Sequence, residues 1–238
     1  MLILSLDSSA TAASAALTED SKLLGEFFTN TEFTHSRTLA PMIENLLSVT
    51  DKKISDVELI AVSNGPGSFT GVRIGVSVAK GLAFPNDIPC MAVSTLESMA
   101  YNLTLTDCIV CAVMDARRNQ VYNAMFRIRF GEVERLCDDR AIALTELKAE
   151  IAEKYNGERV ILVGDGSTIT MREVMDLPMS VEMAPEAIRF QRASSVASAA
   201  QAHIKTGENP VKSAELLPSY LRLSQAERER KEKESSAQ

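Results

Sequence analysis

The stretch "LIAVSNGPGSFTGVRIGVSVAKGLAF" (residues 59–84) decides the fold. Its first six residues include a continuous apolar run of the kind that forms a buried strand, and the glycines that follow indicate a tight turn. From Gly71 onward the apolar residues recur at helical spacing, so the stretch predicts a strand, a turn and a helix in that order. Strands that lead through a short turn into a helix are typical of α/β proteins.

The helix predicted at residues 72–84 has more apolar surface than one neighbour can cover. It is polar only at Arg73, Ser77 and Lys80, which fall at i, i+4 and i+7 on one narrow stripe. A helix that covers one face of a sheet needs a single apolar side. We therefore expect this helix to contact a second partner, either another lobe or another chain.

The second half of the chain repeats the pattern of strands and helices that the first half shows. A meander of short strands is predicted near the N-terminus, followed by an amphipathic helix with Pro41 in its first turn. Further strands are predicted at residues 90–93, 108–115, 120–126 and from 159, and helices at 145–155 and 194–205. We therefore predict two similar lobes, residues 1–105 and 106–224, and a charged tail at 225–238. The prediction allows the last segment of the second lobe to pack back on the first.

The composition argues against several classes of protein. The chain has 25 Lys and Arg against 32 Asp and Glu, a formal net charge of −7. This balance disfavours a broad electrostatic footprint for a nucleic-acid backbone. No run approaches the length of a membrane span and no basic leader precedes the first strand, so we expect a cytoplasmic protein with no membrane contact. The four cysteines are then expected to be reduced thiols.

The glycine-rich turn is the first candidate phosphate site. Gly65, Gly67 and Gly71 miss the dinucleotide-binding spacing by one residue, and Pro66 removes a backbone N–H that a phosphate would use. The turn still leads into a helix N-terminus, whose free N–H groups attract anions. A plain structural turn is favoured, and a direct phosphate role stays open.

The turn after the first strand is the second candidate. Asp7, Ser8 and Ser9 lie where backbone and side chains can hold Mg²⁺-bound phosphates. Asx and Ser turns bring the same groups together with no ligand. The local structural role is favoured here too.

The other reactive residues form no recognisable catalytic constellation. Cys108 and Cys111 spell C-x-x-C, but side chains three positions apart in a strand point to opposite faces. His35 and His203 belong to no H-x-x-x-H pattern, and Ser167 lacks the G-x-S-x-G elbow. We predict no catalytic residue and no metal site.

The segment "MDARRNQVY" (residues 114–122) gathers charged side chains at a turn between two strands. Asp115, Arg117 and Arg118 lie there. A solvated turn is the favoured interpretation, and an anion or partner contact is the alternative.

Five segments together resemble the TsaB family, also called YeaZ. They are "LDSS" (6–9), "HSRTLAPMIENLL" (35–47), "AVSNGPGSFTGVRIGVSVAKGLA" (61–83), "MDARRNQVY" (114–122) and "PSYLR" (218–222). The resemblance covers nearly the whole chain except its C-terminal end. It implies an α/β fold of the actin-like or sugar-kinase-like (ASKHA) type, in which each lobe has a mixed sheet flanked by helices.

The resemblance also implies a function. TsaB works with TsaD and TsaE to place threonylcarbamoyl on the adenosine next to the anticodon of tRNAs that read codons beginning with A. The implied role is a scaffolding and activating subunit that is not catalytic on its own and meets tRNA only through the complex. The alternative is an autonomous nucleotide-binding ATPase or kinase of the actin-like fold. A peptidase, an older label in the wider family, would need a nucleophile that the sequence does not offer.

The catalytic paralogue TsaD carries a His-x-x-x-His metal pair after the corresponding strand. Here the segment "VSTLESM" puts Thr95 and Met99 at those two positions, and neither can replace histidine on Zn²⁺ or Fe²⁺. The resemblance therefore implies no metal and no required cofactor. Weak or interfacial binding of ATP or ADP stays open, at a vestigial site formed by Asp7, Ser8, Ser9, Gly65 and Gly67.

The resemblance implies a partner surface built from two helices. The helix that starts near His35 and the helix after the Gly-Pro-Gly turn are expected to pair with the same helices of a TsaD-like subunit, or with a second copy when the chain is alone. The expected interface residues are His35, Leu39, Met42, Ile43, Ile74, Val78 and Leu82. Val72, Val76 and Ala79 are then expected to face the lobe, although the two sides of this helix can be exchanged.

Overall fold

The computed structural model describes residues 1–31 and 34–222. The charged tail predicted at 225–238 lies outside the described residues. Two sheets divide the described chain into an N-lobe and a C-lobe, and the predicted boundary at residue 105 falls between a short helical turn and the first strand of the C-lobe.

The N-lobe sheet contains five strands in the order β3-β2-β1-β4-β5. The first three strands form the predicted antiparallel meander, whereas β4 and β5 run parallel to β1. This mixture arises because short turns of four and two residues join the meander, while connections that contain helices link the parallel strands. The strands are β1 (Leu2–Asp7), β2 (Ala12–Glu19), β3 (Lys22–Asn30), β4 (Leu59–Gly65) and β5 (Cys90–Ser94).

The C-lobe sheet repeats this design with strand order β11-β10-β6-β7-β8, and β9 pairs with β7. Cys108 and Cys111 of β6 face opposite sides of this sheet, as their spacing predicts. The strands are β6 (Cys108–Asp115), β7 (Gln120–Arg129), β8 (Glu132–Arg135), β9 (Arg140–Ala143), β10 (Val160–Val163) and β11 (Val181–Met183).

Helices cover both faces of each sheet. They are α1 (His35–Val49), α2 (Phe69–Ala83), α3 (Thr95–Ala100), α4 (Leu144–Lys154), α5 (Ser167–Val174), α6 (Glu186–Arg189) and α7 (Ala193–Lys205). The position predicted for Pro41 is wrong, because α1 begins six residues earlier and Pro41 lies inside it. Pro41 is exposed, so water can solvate the carbonyl that loses its intrahelical donor.

The two faces of the N-lobe sheet are covered from different parts of the chain. Helices α1 and α2 pack on the face that carries Leu4 and Ile60. Helix α7, from the C-terminal part of the chain, packs on the opposite face, where Ile3 and Ala61 point. Alternate residues of one strand face opposite sides of a sheet, so both faces need an apolar cover. Conversely, α3 follows an N-lobe strand but packs within the C-lobe core.

No helix in the described ranges is both long enough and apolar enough to cross a membrane.

Candidate functional site

A cleft of about 620 Å³ lies between the lobes, where strands of both sheets end. On the N-lobe side it is lined by the β1–β2 turn and the Gly-Pro-Gly turn. On the C-lobe side it is lined by the β6–β7 turn and by Asp165, which follows β10. The last described residues, 219–222, complete the wall. Both candidate phosphate turns therefore come together, as do two segments that sequence reasoning left without a role.

The acidic turn after β1 makes several hydrogen bonds within the chain, although Asp7 Oδ2 is buried without a hydrogen-bond partner in the described structure. Asp7 is fully buried, and its Oδ1 accepts hydrogen bonds from the backbone N–H of Ser9 at 2.9 Å and from the Ser9 hydroxyl at 2.8 Å. Burial raises the pKa of the Asp7 carboxyl, and these hydrogen bonds oppose the rise. The Ser8 hydroxyl donates to the carbonyl of Gly71 at 2.9 Å. This turn thus joins β1 to the start of α2.

The glycine turn fits closely against that acidic turn. The N–H of Ser68 donates to the carbonyl of Ser9 at 2.6 Å. A Cβ added at Gly67 or Gly71 would come closer than 3.0 Å to the carbonyl oxygen of Ser9 or Ser8. Glycine is therefore needed here for close approach of two backbones, without any ligand. The Ser68 hydroxyl accepts from the N–H of Gly71 at 3.3 Å and caps α2, which begins at Phe69 rather than at the predicted residue 72.

Asp165 is a cleft residue that sequence reasoning missed. Burial raises the pKa of its carboxyl to about 6, and the negative charge of Asp115 acts in the same direction. Its Oδ1 is buried and accepts no hydrogen bond within the described structure. The available signal was the "VGDG" segment after a predicted strand, which places an acid at a strand end.

The β6–β7 turn has an unusual backbone. Arg117, Arg118 and Asn119 all have positive φ values, 65°, 57° and 57°. This left-handed conformation is costly for most residues other than glycine, Arg117 and Arg118 included, whereas asparagine tolerates it better. Asp115 supports the turn, because its Oδ1 accepts the N–H of Arg117 at 2.7 Å. The Arg117 side chain is 87% exposed and lines the cleft rim.

The C-terminal strap, residues 211–222, runs from the N-lobe to the mouth of the cleft. The N–H of Ser219 donates to the carbonyl of Asn64 at 2.7 Å. The ring of Tyr220 stacks on Phe69 with centroids 4.6 Å apart. Arg222 donates from Nη1 to the carbonyl of Ala116 at 2.6 Å. Residues of the "PSYLR" segment thus meet both the glycine turn and the "MDARRNQVY" turn.

Helix α2 presents two different apolar sides. Val72, Val76 and Ala79 are buried against the N-lobe sheet, which is the side that sequence reasoning assigned to the lobe. The predicted interface residues on this helix are all half-buried at the edge of the same core: Ile74, Val78 and Leu82. Their side chains are therefore only partly covered by the rest of the N-lobe.

The predicted interface residues of α1 divide into two groups. Leu39 and Ile43 are buried in the N-lobe core, so the structure corrects their prediction as partner-surface residues. The reason is that they lie on the apolar stripe of α1 that its own sheet must cover first. Met42 is half-buried and partly accessible. His35 is also half-buried, and its Nε2 lies 2.6 Å from the carbonyl of Ala10.

Burial or contacts within the chain account for the remaining candidate residues. Thr95 and Met99, at the positions of the metal ligands of TsaD, are fully buried in α3. His203 contacts Glu97 at 2.9 Å and Glu208 at 3.1 Å, and the hydrogen bond to Glu97 raises the pKa of the imidazole. Within residues 1–31 and 34–222, no group of three or more His, Cys, Asp or Glu side chains is arranged to hold a metal ion.

Two mixed sheets, each flanked by helices and separated by this cleft, define an actin-like or sugar-kinase-like (ASKHA) protein and confirm the predicted fold class. A family model described as "TsaD: tRNA N6-adenosine threonylcarbamoyltransferase" matches residues 25–230, and the TsaB protein of Bacillus subtilis (strain 168) is 31% identical over 95% of this chain and 96% of its own length. The chain belongs to the TsaB (YeaZ) family, which is paralogous to TsaD.

Other comparisons agree with this family. The TsaB protein of Escherichia coli (strain K12) is 30% identical over 80% of this chain and 87% of its own length. The solved structure of YeaZ from Pseudomonas aeruginosa covers 92% of this chain and 99% of its own at 28% identity, with a TM-score of 0.76. Component A of (R)-2-hydroxyglutaryl-CoA dehydratase from Acidaminococcus fermentans is similar in fold alone, with a TM-score of 0.50 at 11% identity over 88% of this chain and 100% of its own.

Proposed function

We propose that this chain is a non-catalytic scaffolding and activating subunit of the complex that transfers threonylcarbamoyl to the adenosine next to the anticodon. Membership of the TsaB family supports a part in tRNA threonylcarbamoyladenosine biosynthesis. The proposed partners are a TsaD-like catalytic subunit and a TsaE-like ATPase, with tRNA bound only through the complex. The proposed setting is the cytoplasm.

The observation that carries the proposal is the α1–α2 face. Ile74, Val78 and Leu82 form a continuous row at i, i+4 and i+8 of α2, and Met42 of α1 is half-buried at the same core. Two helices with a shared half-exposed apolar seam suit packing against two helices of another subunit. A TsaD-like subunit is proposed as the partner because the TsaD family model itself matches most of this chain, so the partner would carry a related helix pair. A second copy is proposed to cover the same seam when the chain is alone.

The cleft supports a role without chemistry of its own. Two hydrogen bonds join the candidate phosphate turns to each other, from the Ser8 hydroxyl to the carbonyl of Gly71 and from the N–H of Ser68 to the carbonyl of Ser9, and Asp7 accepts from Ser9 within its own turn. We therefore propose that no bound nucleotide is required, and that any ATP or ADP binds weakly or at a subunit interface. Turnover of ATP by the purified chain alone at an enzyme-like rate would instead favour an autonomous ATPase or kinase.

The direct test is reconstitution of tRNA modification. A TsaD-like subunit and a TsaE-like ATPase are supplied with tRNA, ATP and threonylcarbamoyl-adenylate, with and without this chain. Modified adenosine is measured by mass spectrometry of the digested tRNA. We expect product to fall at least tenfold when the chain is omitted, and undiminished product would refute the proposal.

The interface is tested by a charge on the apolar seam. Val78→Glu should abolish co-purification with the TsaD-like subunit, because a carboxylate without a partner would be buried between helices. Leu105→Glu is the matched control, since Leu105 is 98% exposed in the segment that precedes β6. Circular dichroism should show that both variants are folded. Binding of Val78→Glu at the strength of the control would show that this face is not the interface.

A further inference from the structure

We propose that the C-terminal strap is a releasable clamp, which holds the two lobes at one opening and closes the mouth of the cleft between them. The inference rests on contacts within the chain and does not depend on the proposed function. It gives a role to the "PSYLR" and "MDARRNQVY" segments, which meet at the bond from Arg222 to Ala116.

The first half of the strap is fixed to the N-lobe. Val211 and Cys90 exchange backbone hydrogen bonds of 2.8 Å in both directions, so the strap begins as an addition to the edge of the sheet at β5. Lys80 of α2 donates from Nζ to the carbonyls of Ala214 at 3.1 Å and Leu216 at 3.2 Å. The side chain of Leu216 is buried in the N-lobe core. This half can leave only if the core opens.

The second half of the strap is held by exposed contacts. Asn64 donates from its side chain to the carbonyl of Leu217 at 3.1 Å and accepts from the N–H of Ser219. Leu217 is 65% exposed, and Tyr220 is 42% exposed. Arg73 donates from Nε to the Tyr220 hydroxyl at 2.8 Å. Water can replace each of these contacts, so residues 217–222 can detach while the first half remains in place.

The strap ends on the opposite lobe. Arg222 reaches the carbonyl of Ala116, at the start of the left-handed β6–β7 turn. One short segment is thus bonded to Asn64, directly before the Gly-Pro-Gly turn, on the N-lobe side of the cleft and to the β6–β7 turn on the C-lobe side. A segment that is bonded on both sides of the cleft fixes the distance between Asn64 on the N-lobe and Ala116 on the C-lobe. Residues 219–222 also line the cleft, so a ligand of the cleft meets the strap on entry.

Strap docking can be followed with a single tryptophan, because the chain contains none. In the variant Tyr220→Trp the indole replaces the ring that stacks on Phe69, and acrylamide quenching reports its exposure. Adding Arg222→Ala should raise the quenching constant at least twofold, since the strap loses its anchor on the C-lobe. Adding Arg189→Ala is the matched control, because Arg189 likewise donates to a backbone carbonyl, that of Ala184, but within one lobe. Equal quenching in the two double variants would overturn the clamp.

Hydrogen exchange gives a second readout in the chain with its natural Tyr220. Arg222→Ala should speed exchange of the Ser219 amide and of peptides covering residues 114–120 at least tenfold relative to the unmodified chain. Peptides from β10 should be unchanged, which separates release of the strap from general loss of stability. Unchanged exchange at both Ser219 and residues 114–120 would overturn the proposal. Faster exchange confined to these two places would support it.

Discussion

Asp165 shows how one partly buried carboxyl group can make stability depend on pH. The pKa of its carboxyl is raised from 3.8 to about 6 by burial and by the nearby charge of Asp115. The folded chain therefore keeps this proton to a higher pH than the unfolded chain does. It follows that the carboxyl costs stability increasingly as the pH rises from about 4 to about 6, and that the full cost remains at pH 7.

Asp165→Asn should stabilise the protein at neutral pH. The amide is never charged, so the gain is up to about 2–3 kcal/mol at pH 7, reduced by the partial solvent access of the side chain, and near zero at pH 4. Urea unfolding at pH 4, 5, 6 and 7 measures it. Asp138→Asn, at an exposed position, is the control and should change little. A gain that is the same at every pH would contradict burial of the charge as its cause.

At the scale of the element, α2 joins the sheet, the acidic turn, the strap and the proposed partner surface. Its three glycines have different surroundings. A Cβ at Gly71 would come closer than 3.0 Å to the carbonyl oxygen of Ser8, and one at Gly75 would do so at the Ser8 hydroxyl. Gly81 has open space around it. Two glycines are therefore required for packing within the lobe, and only the third is available for a partner to approach.

Alanine at two of these positions should have opposite effects. Gly71→Ala should destabilise the chain by about 1–3 kcal/mol, because the backbone of β1–β2 or of α2 must shift. Gly81→Ala should stabilise it by about 0.5–1 kcal/mol, because alanine loses less conformational freedom inside a helix. Thermal unfolding of both variants measures the change in stability at each position. Destabilisation of equal size at the two positions would show that contact with Ser8 is not what demands glycine.

At the scale of the whole molecule, charged side chains join elements of the two lobes. Glu97 of α3 pairs with His203 of α7 at 2.9 Å and with Arg135 of β8 at 3.0 Å. Helix α7 packs on the N-lobe sheet while β8 belongs to the C-lobe sheet, so this network spans the division between the lobes. The strap spans the same division on the side of the cleft.

His203→Gln should weaken the protein in a pH-dependent way. The hydrogen bond to Glu97 raises the pKa of His203 above 6.5, so the stabilisation is complete below that pH and is lost as the pH rises through the folded-state pKa. We expect a loss on the order of 1 kcal/mol at pH 6 and a smaller loss at pH 9, measured by urea unfolding. Arg159→Gln, in an exposed ion pair with Glu182, is the control and should cost less at both pH values. A larger loss at pH 9 would contradict the assigned sign.

Much of the fold can be predicted from sequence because short local patterns of residues specify its strands, turns and helices. The β4–turn–α2 unit and the N-terminal meander have apolar runs and turn residues that specify them over short distances. Leu39 and Ile43 were misassigned because apolar spacing shows that a helix has an inner side, but not which residues its own sheet will cover. The strap has no periodicity at all. Its contacts depend on partners such as Asn64, which is 153 positions from Leu217.

The placement of α7 has a consequence for how the protein is made on the ribosome. The N-lobe sheet contains the first strands to be synthesised, but the helix that seals one of its faces ends at Lys205. Until that helix emerges, Ile3, Leu59 and Val93 remain uncovered. Through most of translation the nascent chain therefore lacks the helix that covers this face, and uncovered apolar surface of this kind is prone to aggregation. For the same reason, residues 1–105 expressed alone should aggregate.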